Sequence, residues 1–328
     1  MKKIVADAMI VARSLARHFG EIEAVREVSF EVAEGEVFGF LGPNGAGKTT
    51  TIGMLCTLLT PTSGSASINR FDVVRDQDAV RRSIGLVFQQ PTLDEKLTAE
   101  QNLRFHAYAY GMPANQRDEQ IGKLLSMVEL WDRRGDSVRT FSGGMRRRLE
   151  LARGLLHEPK VLFLDEPTLG LDPQTRRRVW DYLGELREHR KVTVFLTTHY
   201  MDEAEYCDRI AVIDHGRIVA LGTPDELKAA VGGDLVTIDT PLPDKAVAEI
   251  RRRYDTEVSI NDGKVRFHVS DGGAFLPDFV RNFDGPLESI GVRRPTLDDV
   301  FLDLTGHEIR DAEIVGAPTT SGWWGRRR

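Results

Sequence analysis

Cysteine is scarce in this chain. Only Cys56 and Cys207 occur in 328 residues, far apart and inside segments that read as regular elements. That excludes a disulfide framework, and both read as buried thiols of a reducing compartment. Long apolar runs are missing as well; stretches such as 161–164 are far too short to cross a bilayer. Lys2 and Lys3 ahead of Ile4 and Val5 hint at a leader, but Asp7 and Arg13 interrupt the apolar stretch. Positive charge is not in excess either. The 44 Lys and Arg face 50 Asp and Glu, a net charge of −6, so the overall balance gives no support to nucleic-acid binding. The expectation is a soluble, cytosolic protein, long enough for a large core and a smaller appendage.

What the chain does have is one organising stretch. Gly42, Pro43, Asn44, Gly45, Ala46, Gly47, Lys48 and Thr49 fit the pattern G-x-x-x-x-G-K-[ST], with Thr50 following. Residues 36–40 ahead of it read as a buried strand and 51–59 after it as a helix. In that context the glycines let the backbone turn tightly and aim its N–H groups at phosphate oxygens, and the helix adds its positive N-terminal end. Lys48 would reach the β- and γ-phosphates of a nucleotide, and Thr49 would bind Mg²⁺.

Around this loop the pattern alternates strand and helix. Residues 9–15 and 29–32 read as strands, with a turn at 17–20 that presents the ring of Phe19. Further strands are expected at 65–68 and 83–88, the latter stopped by Gln89-Gln90-Pro91. A helical insert at 93–140 interrupts the α/β alternation; Thr98 and Gln101 form a capping box at its start. Helix returns at 145–156. The runs 161–164 and 192–196 are continuously apolar, as parallel strands covered on both faces must be. Residues 210–213 and 218–220 read as a hairpin.

The chemistry-bearing residues follow those strands. Asp165 and Glu166 end the 161–164 run, where sheets of this kind bind ligands. Asp165 is suited to hold Mg²⁺ and Glu166 to polarise an attacking water. His199 follows the next strand; alone it is as readily structural, but beside a nucleotide loop it is aimed at the γ-phosphate. Gln89 suits a Mg²⁺ or water contact. Phe19 stacks on adenine or joins the core. Ser142, Gly143 and Gly144 open a helix and make a second N–H-rich anion site. One nucleotide does not need two such sites, so this one either clasps the nucleotide of a second copy or is a simple capped turn. The arginine runs 146–148 and 176–178 read as solvated faces rather than nucleic-acid patches.

These stretches together resemble the nucleotide-binding subunit of an ABC transporter over about 9–227. The phosphate loop, Gln89, the signature stretch 141–145, the 161–166 strand with its glutamate, the Leu171-Asp172 loop and His199 occur in that order. Phe141 and Met145 replace the commoner Leu and Gln of the signature, and Phe19 replaces a tyrosine. The resemblance implies a P-loop ABC ATPase domain at 1–230, with a mixed-sheet core and a helical subdomain, acting as a homodimer on ATP and Mg²⁺. It adds Val25 to the nucleotide-binding set and makes Asp172 a contact to the partner subunit. The wording of 142–149, 166–173 and 295–302 is similar to exporter ATPases of the daunorubicin-resistance type. That implies an ABC-2-type membrane permease as partner, a drug, lipid or glycan as cargo, and a peripheral position on the cytoplasmic face of a prokaryotic-type cell membrane. Nucleic acid is not an expected partner.

The final third changes texture. Strand, helix, two strands around Asn261-Asp262-Gly263, helix and strand over 235–306 read as a small α+β domain of ferredoxin-like βαββαβ plan. The resemblance gives it a regulatory or dimerisation role. Residues 307–328, with Trp323, Trp324 and Arg326–Arg328, read as a flexible tail or as a contact to an anionic surface. Two other functions share part of this pattern. An importer's ATPase carries the same catalytic motifs. A soluble ABC ATPase of ribosomes or DNA is disfavoured by the single phosphate loop, the absence of sustained heptads and the acidic balance.

Overall fold

The chain opens on a long antiparallel hairpin, β1 (Ala8–Phe19) with β2 (Ile22–Ala33), closed by Gly20 and Glu21. A computed structural model describes residues 8–306 apart from 191, 255, 262 and 284. The hairpin runs well past the expected strands at 9–15 and 29–32. Ser14 and Glu27 adopt left-handed φ values of 45° and 53°. The pairing register shifts between Ala12 and Leu15, which breaks the in–out alternation that a strand otherwise shows.

After β3 (Val37–Leu41) the phosphate loop feeds α1 (Lys48–Leu55). This helix begins three residues before the expected start and ends four before the expected end. Thr57 takes a left-handed φ of 62°, and the N–H groups of Leu58 and Leu59 both turn back to the Gly53 carbonyl, which closes the helix early. Next come β4 (Ser63–Ile68), β5 (Phe71–Asp72), α2 (Gln77–Ser83) and β6 (Ile84–Val87). The segment that follows is helical, with α3 (Ala99–Ala109) and α4 (Ala114–Met127) ahead of α5 (Gly143–Leu155). The Thr98–Gln101 capping box of α3 is formed in both directions. Strand β7 (Val161–Asp165), α6 (Pro173–Arg190), β8 (Thr193–Thr198), α7 (Met201–Ala204), β9 (Arg209–Asp214), β10 (Arg217–Gly222) and α8 (Pro224–Ala230) complete this part.

The central sheet runs β10-β9-β3-β8-β7-β6, parallel except for β10, and the hairpin sheet runs β2-β1-β4-β5. Between the two sheets lies one apolar core, in which the rings of Phe30, Phe38, Phe40 and Phe195 meet at centroid distances of 5.5–5.8 Å. The second core lies between the central sheet and the helices, and draws in Leu103, Leu124, Leu149 and Leu183. Register brings the carboxyl ends of three strands level: Leu41 pairs with Thr198, and Asp165 with Thr197. The three segments that leave those ends carry the phosphate loop, Glu166 and His199.

The remaining elements are β11 (Asp234–Asp239), α9 (Pro243–Tyr254), β12 (Val258–Asn261), β13 (Lys264–Val269), α10 (Gly272–Asn282), β14 (Ser289–Arg293) and α11 (Leu297–Thr305). Their sheet runs β12-β13-β11-β14 with every neighbour antiparallel. Strand β13 is therefore inserted between β11 and β12, the split βαβ arrangement. Val236, Ile238, Ile250, Phe267 and Phe279 give this sheet its own core. Helix α11 does not join it. Leu297, Val300 and Phe301 pack into the helix-side core of the larger unit with Met201, Ala204 and Leu227. The expected tail at 307–328 lies outside the described residues, as does Asp262 of the expected turn.

Candidate active site

The loop between β3 and α1 is shaped by what surrounds its glycines. Gly47 has a φ of 105°, and a Cβ there would sit 2.5 Å from the Ala24 carbonyl oxygen; at Gly42 it would sit 2.1 Å from that of Ile213. Only glycine fits either position. Val25, fully buried, packs behind Gly47, while Asn44, Gly45 and Thr49 are exposed. Ala46 is buried, its carbonyl accepting from the Gly216 N–H, and Thr50 is half-buried.

Lys48 is 4 % exposed, and its ammonium donates to the carbonyls of Gly42 (2.7 Å) and Pro43 (3.1 Å). Its Nζ lies 3.4 Å from Glu166 Oε1. Burial pulls the Lys48 pKa below its ordinary value, with Glu166 and Asp165 pulling the other way. Thr49 Oγ1 donates to Asp165 Oδ1 at 3.3 Å. A hydroxyl and a carboxylate so close, beside a loop shaped for phosphate, are a hard-oxygen donor set that fits Mg²⁺. Burial pushes the Asp165 carboxyl up, against hydrogen bonds from Thr197 and Thr49.

Glu166 is the hub. Its backbone takes a left-handed φ of 46°, which turns the chain sharply out of β7. Gln89 Nε2 donates to Oε2 at 2.9 Å, and His199 Nδ1 lies 3.3 Å from Oε1. Burial raises the Glu166 pKa, but the His199 hydrogen bond and the Lys48 charge outweigh it, so the carboxyl is held below its usual range. An ionised carboxylate beside a buried lysine is chemically competent to accept a proton from water.

Other predicted residues sit apart from this cluster. Ser142 and Gly143 are exposed at the start of α5, where Ser142 Oγ accepts the Met145 N–H at 3.3 Å. Gly144 abuts Thr175, 2.6 Å from where a Cβ would lie. Asp172 is exposed and caps α6, accepting from Thr175 N at 3.0 Å and Thr175 Oγ1 at 2.7 Å. Phe19 stands at the hairpin tip, 36 % exposed, with the Arg17 guanidinium 4.6 Å from its ring centroid.

Sequence reasoning missed two groups. Thr197 Oγ1 donates to Asp165 at 2.6 Å and accepts the Glu166 N–H at 3.1 Å, linking both acids to β8. Arg147, expected on a solvated face, is only 5 % exposed. Arg177 and Arg178 of α6 are exposed, as expected. The signal was available: Arg147, Glu150 and Arg153 recur every third residue beside Leu149 and Leu151, so the opposite charges share one helix face.

Comparison with protein families matches residues 25–169 to ABC transporter, and 222–305 to the C-terminal domain of DrrA1-3-like ATP-binding proteins. The daunorubicin resistance ATP-binding protein DrrA3 of Streptomyces coeruleorubidus is 41 % identical over 94 % of this chain and 100 % of that protein. The doxorubicin resistance ATP-binding protein DrrA of Mycobacterium tuberculosis is 38 % identical over 91 % and 94 %. Among solved structures, the dimeric post-hydrolysis state of the ATP-binding cassette MJ0796 bound to ADP and Pi has a TM-score of 0.60 at 29 % identity, covering 66 % of this chain and 98 % of that one. With its strand ends, phosphate loop and acidic pair arranged as above, the chain belongs to the ABC transporter family as an ATPase subunit of the daunorubicin-resistance type.

Proposed function

We propose that this ATPase energises export of a drug, lipid or glycan through a separately encoded ABC-2-type permease, and that it works as a homodimer on the cytoplasmic face of the membrane. The observation that carries the catalytic part is the convergence of Lys48, Gln89 and His199 on one carboxylate, Glu166, beside the Thr49–Asp165 pair. Both relatives above are named for drug resistance, which supports outward transport. No helix among the described residues is long and apolar enough to cross a membrane.

In this reading residues 1–230 form the nucleotide-binding domain, with 93–140 as its helical part, and 235–306 the appended domain. Residues 42–50 bind the phosphates of ATP, with Val25 behind the loop and Phe19 against the adenine. Lys48 trades its carbonyl partners for β- and γ-phosphate oxygens, whose negative charge offsets the cost of burying its ammonium. Thr49, Asp165 and Gln89 would hold Mg²⁺, which would neutralise developing phosphate charge. Glu166 accepts a proton as water oxygen bonds to the γ-phosphorus and the β–γ bridging bond breaks. His199 keeps that carboxylate oriented. Ser142, Gly143 and Gly144 contact the γ-phosphate held by the other copy, with Asp172 at the same interface. The exposure of Ser142, Gly143 and Asp172, together with the dimer of MJ0796, supports that geometry.

Glu166→Gln tests this. The substitution keeps size and a carbonyl oxygen but removes the proton acceptor, a loss of about 10²–10⁴ in rate. ATP affinity should survive, so the variant accumulates as an ATP-bound dimer by light scattering, whereas Lys48→Ala loses ATP affinity and traps no dimer. Hydrolysis by Glu166→Gln at the parental rate rules the assignment out.

A further inference from the structure

The buried face of α5 carries three charged residues for which the proposed chemistry has no use. Arg147 lies nearly out of solvent, and its guanidinium makes an unusual set of contacts. It donates to the backbone carbonyls of Pro167, Phe88 (2.5 Å), Asp165 (3.2 Å) and Glu166 (3.1 Å), and Nη1 lies 3.4 Å from Glu150 Oε2. Glu150, fully buried, accepts from Thr92 N at 2.6 Å and from Thr92 Oγ1 at 3.1 Å. Arg153 donates to the Thr92 carbonyl at 3.1 Å. Segment 88–92, which carries Gln89, is thus pinned at both ends by one face of α5. The same guanidinium holds three successive carbonyls at the end of β7, including that of Glu166 itself.

A buried arginine is costly to desolvate, and it persists where its donors meet a fixed array of acceptors. Here the array has a specific shape. The left-handed turn at Glu166 points the carbonyls of 165–167 toward α5 while the Glu166 carboxylate points toward Lys48 and His199. Holding the carbonyls holds the turn, and the turn aims the carboxylate. We propose that Arg147 is a positioning residue for ATP hydrolysis: it locks the backbone at 165–167 and the Phe88 carbonyl into one frame, so that the Glu166 carboxylate and the Gln89 amide stay within reach of each other. This rests on the reading of Glu166 as the proton acceptor. It also gives the helix opening at Ser142 a direct mechanical link to the catalytic strand. Arg147 sits one helical turn along from Gly143, so movement of that end is felt at Glu166.

A positioning role and a purely structural one separate in the kinetics. Arg147→Met and Arg147→Lys, made in the full-length protein, are compared with the parent for MgATP affinity, kcat and melting temperature. Loss of alignment by about an ångström costs on the order of 10²-fold in rate. We expect Arg147→Met to keep MgATP affinity within about threefold and lose between about 10- and 100-fold in kcat. Arg147→Lys should recover part of that loss, since one ammonium reaches fewer carbonyls. Arg148→Lys, whose side chain instead meets the Val128 carbonyl and Glu129, should match the parent. Single-turnover hydrolysis then completes a cycle with Glu166→Gln: adding Arg147→Met to that background should change the rate by less than about twofold, because its effect runs through the missing carboxylate.

Parental kcat in Arg147→Met overturns the inference. So does a loss of affinity, melting temperature and rate together, or failure of every variant to yield ATP-binding protein, since those show a structural role. A full multiplicative loss in the Glu166→Gln background overturns it as well. Normal turnover by Glu166→Gln alone defeats the proton-acceptor reading itself, whatever Arg147 does.

Discussion

Single residues in this protein are read through their burial. Lys48, Asp165 and Glu166 are almost out of solvent, yet each is paired, which is the condition for keeping charge in a low-dielectric site. His106 shows the opposite solution. It lies half-buried on α3, 4.9 Å between ring centroids from Tyr110, with Arg153 and His157 nearby. Burial first, then the Arg153 and His157 charges, push its pKa down to about 4. His157, whose Nε2 hydrogen-bonds the Ile84 carbonyl, is also pushed down by burial. The His106 ring is therefore neutral in the folded state above about pH 4, while in the unfolded chain it takes up a proton near pH 6.5. The sign follows: this stability is fully present above about pH 6.5 and is lost as pH falls toward 4. Thermal melts between pH 7.5 and 5 should show a fall that His106→Phe makes shallower. An unchanged slope in that variant would remove His106 from the effect.

At the scale of elements, α3 carries the most exposed large apolar residues of the helical segment. Phe105 is 70 % and Tyr108 58 % exposed, three positions apart on one face. We propose that this exposed face of α3 seats a cytosolic helix of the permease. Leu93, ahead of α3, is half-buried against the helix-side core. Phe105→Asp and Tyr108→Asp should leave melting temperature and ATP binding close to parental, as exposed substitutions do. Co-purification with the permease and transport should fall. Variants that assemble and transport normally would put the seat elsewhere.

At the scale of the molecule, the appended sheet has its own core, but α11 belongs to the ATPase unit. That revises a simple cut after residue 230. Truncation there removes Leu297, Val300 and Phe301 from a core that includes Met201, two residues beyond His199. The shortened chain keeps every nucleotide motif and should still bind ATP, but with a lower melting temperature. Phe301→Ala in the full chain isolates the effect. Phe301 is 1 % exposed, and losing a buried phenylalanine costs about 3–5 kcal/mol. Calorimetry or chemical denaturation reads that loss, and a change under about 1 kcal/mol would mean that α11 is dispensable to the ATPase unit.

Some of this was written in local order along the chain. The phosphate loop, the capping box at Thr98 and the apolar strands before Asp165 and His199 depend on neighbours a few residues apart, so short-range pattern is enough to read them. The fold class follows from the same alternation. Three features depended on contacts that no local pattern holds. The hairpin carries irregularities at Ser14 and Glu27, where the cross-strand register shifts and the period of two is lost. Arg147 looks like any basic helix residue until β7 and segment 88–92 close over it and present carbonyls. Helix α11 carries an apolar stripe that suits either core equally, and only packing against Met201, Ala204 and Leu227 decides which one it completes.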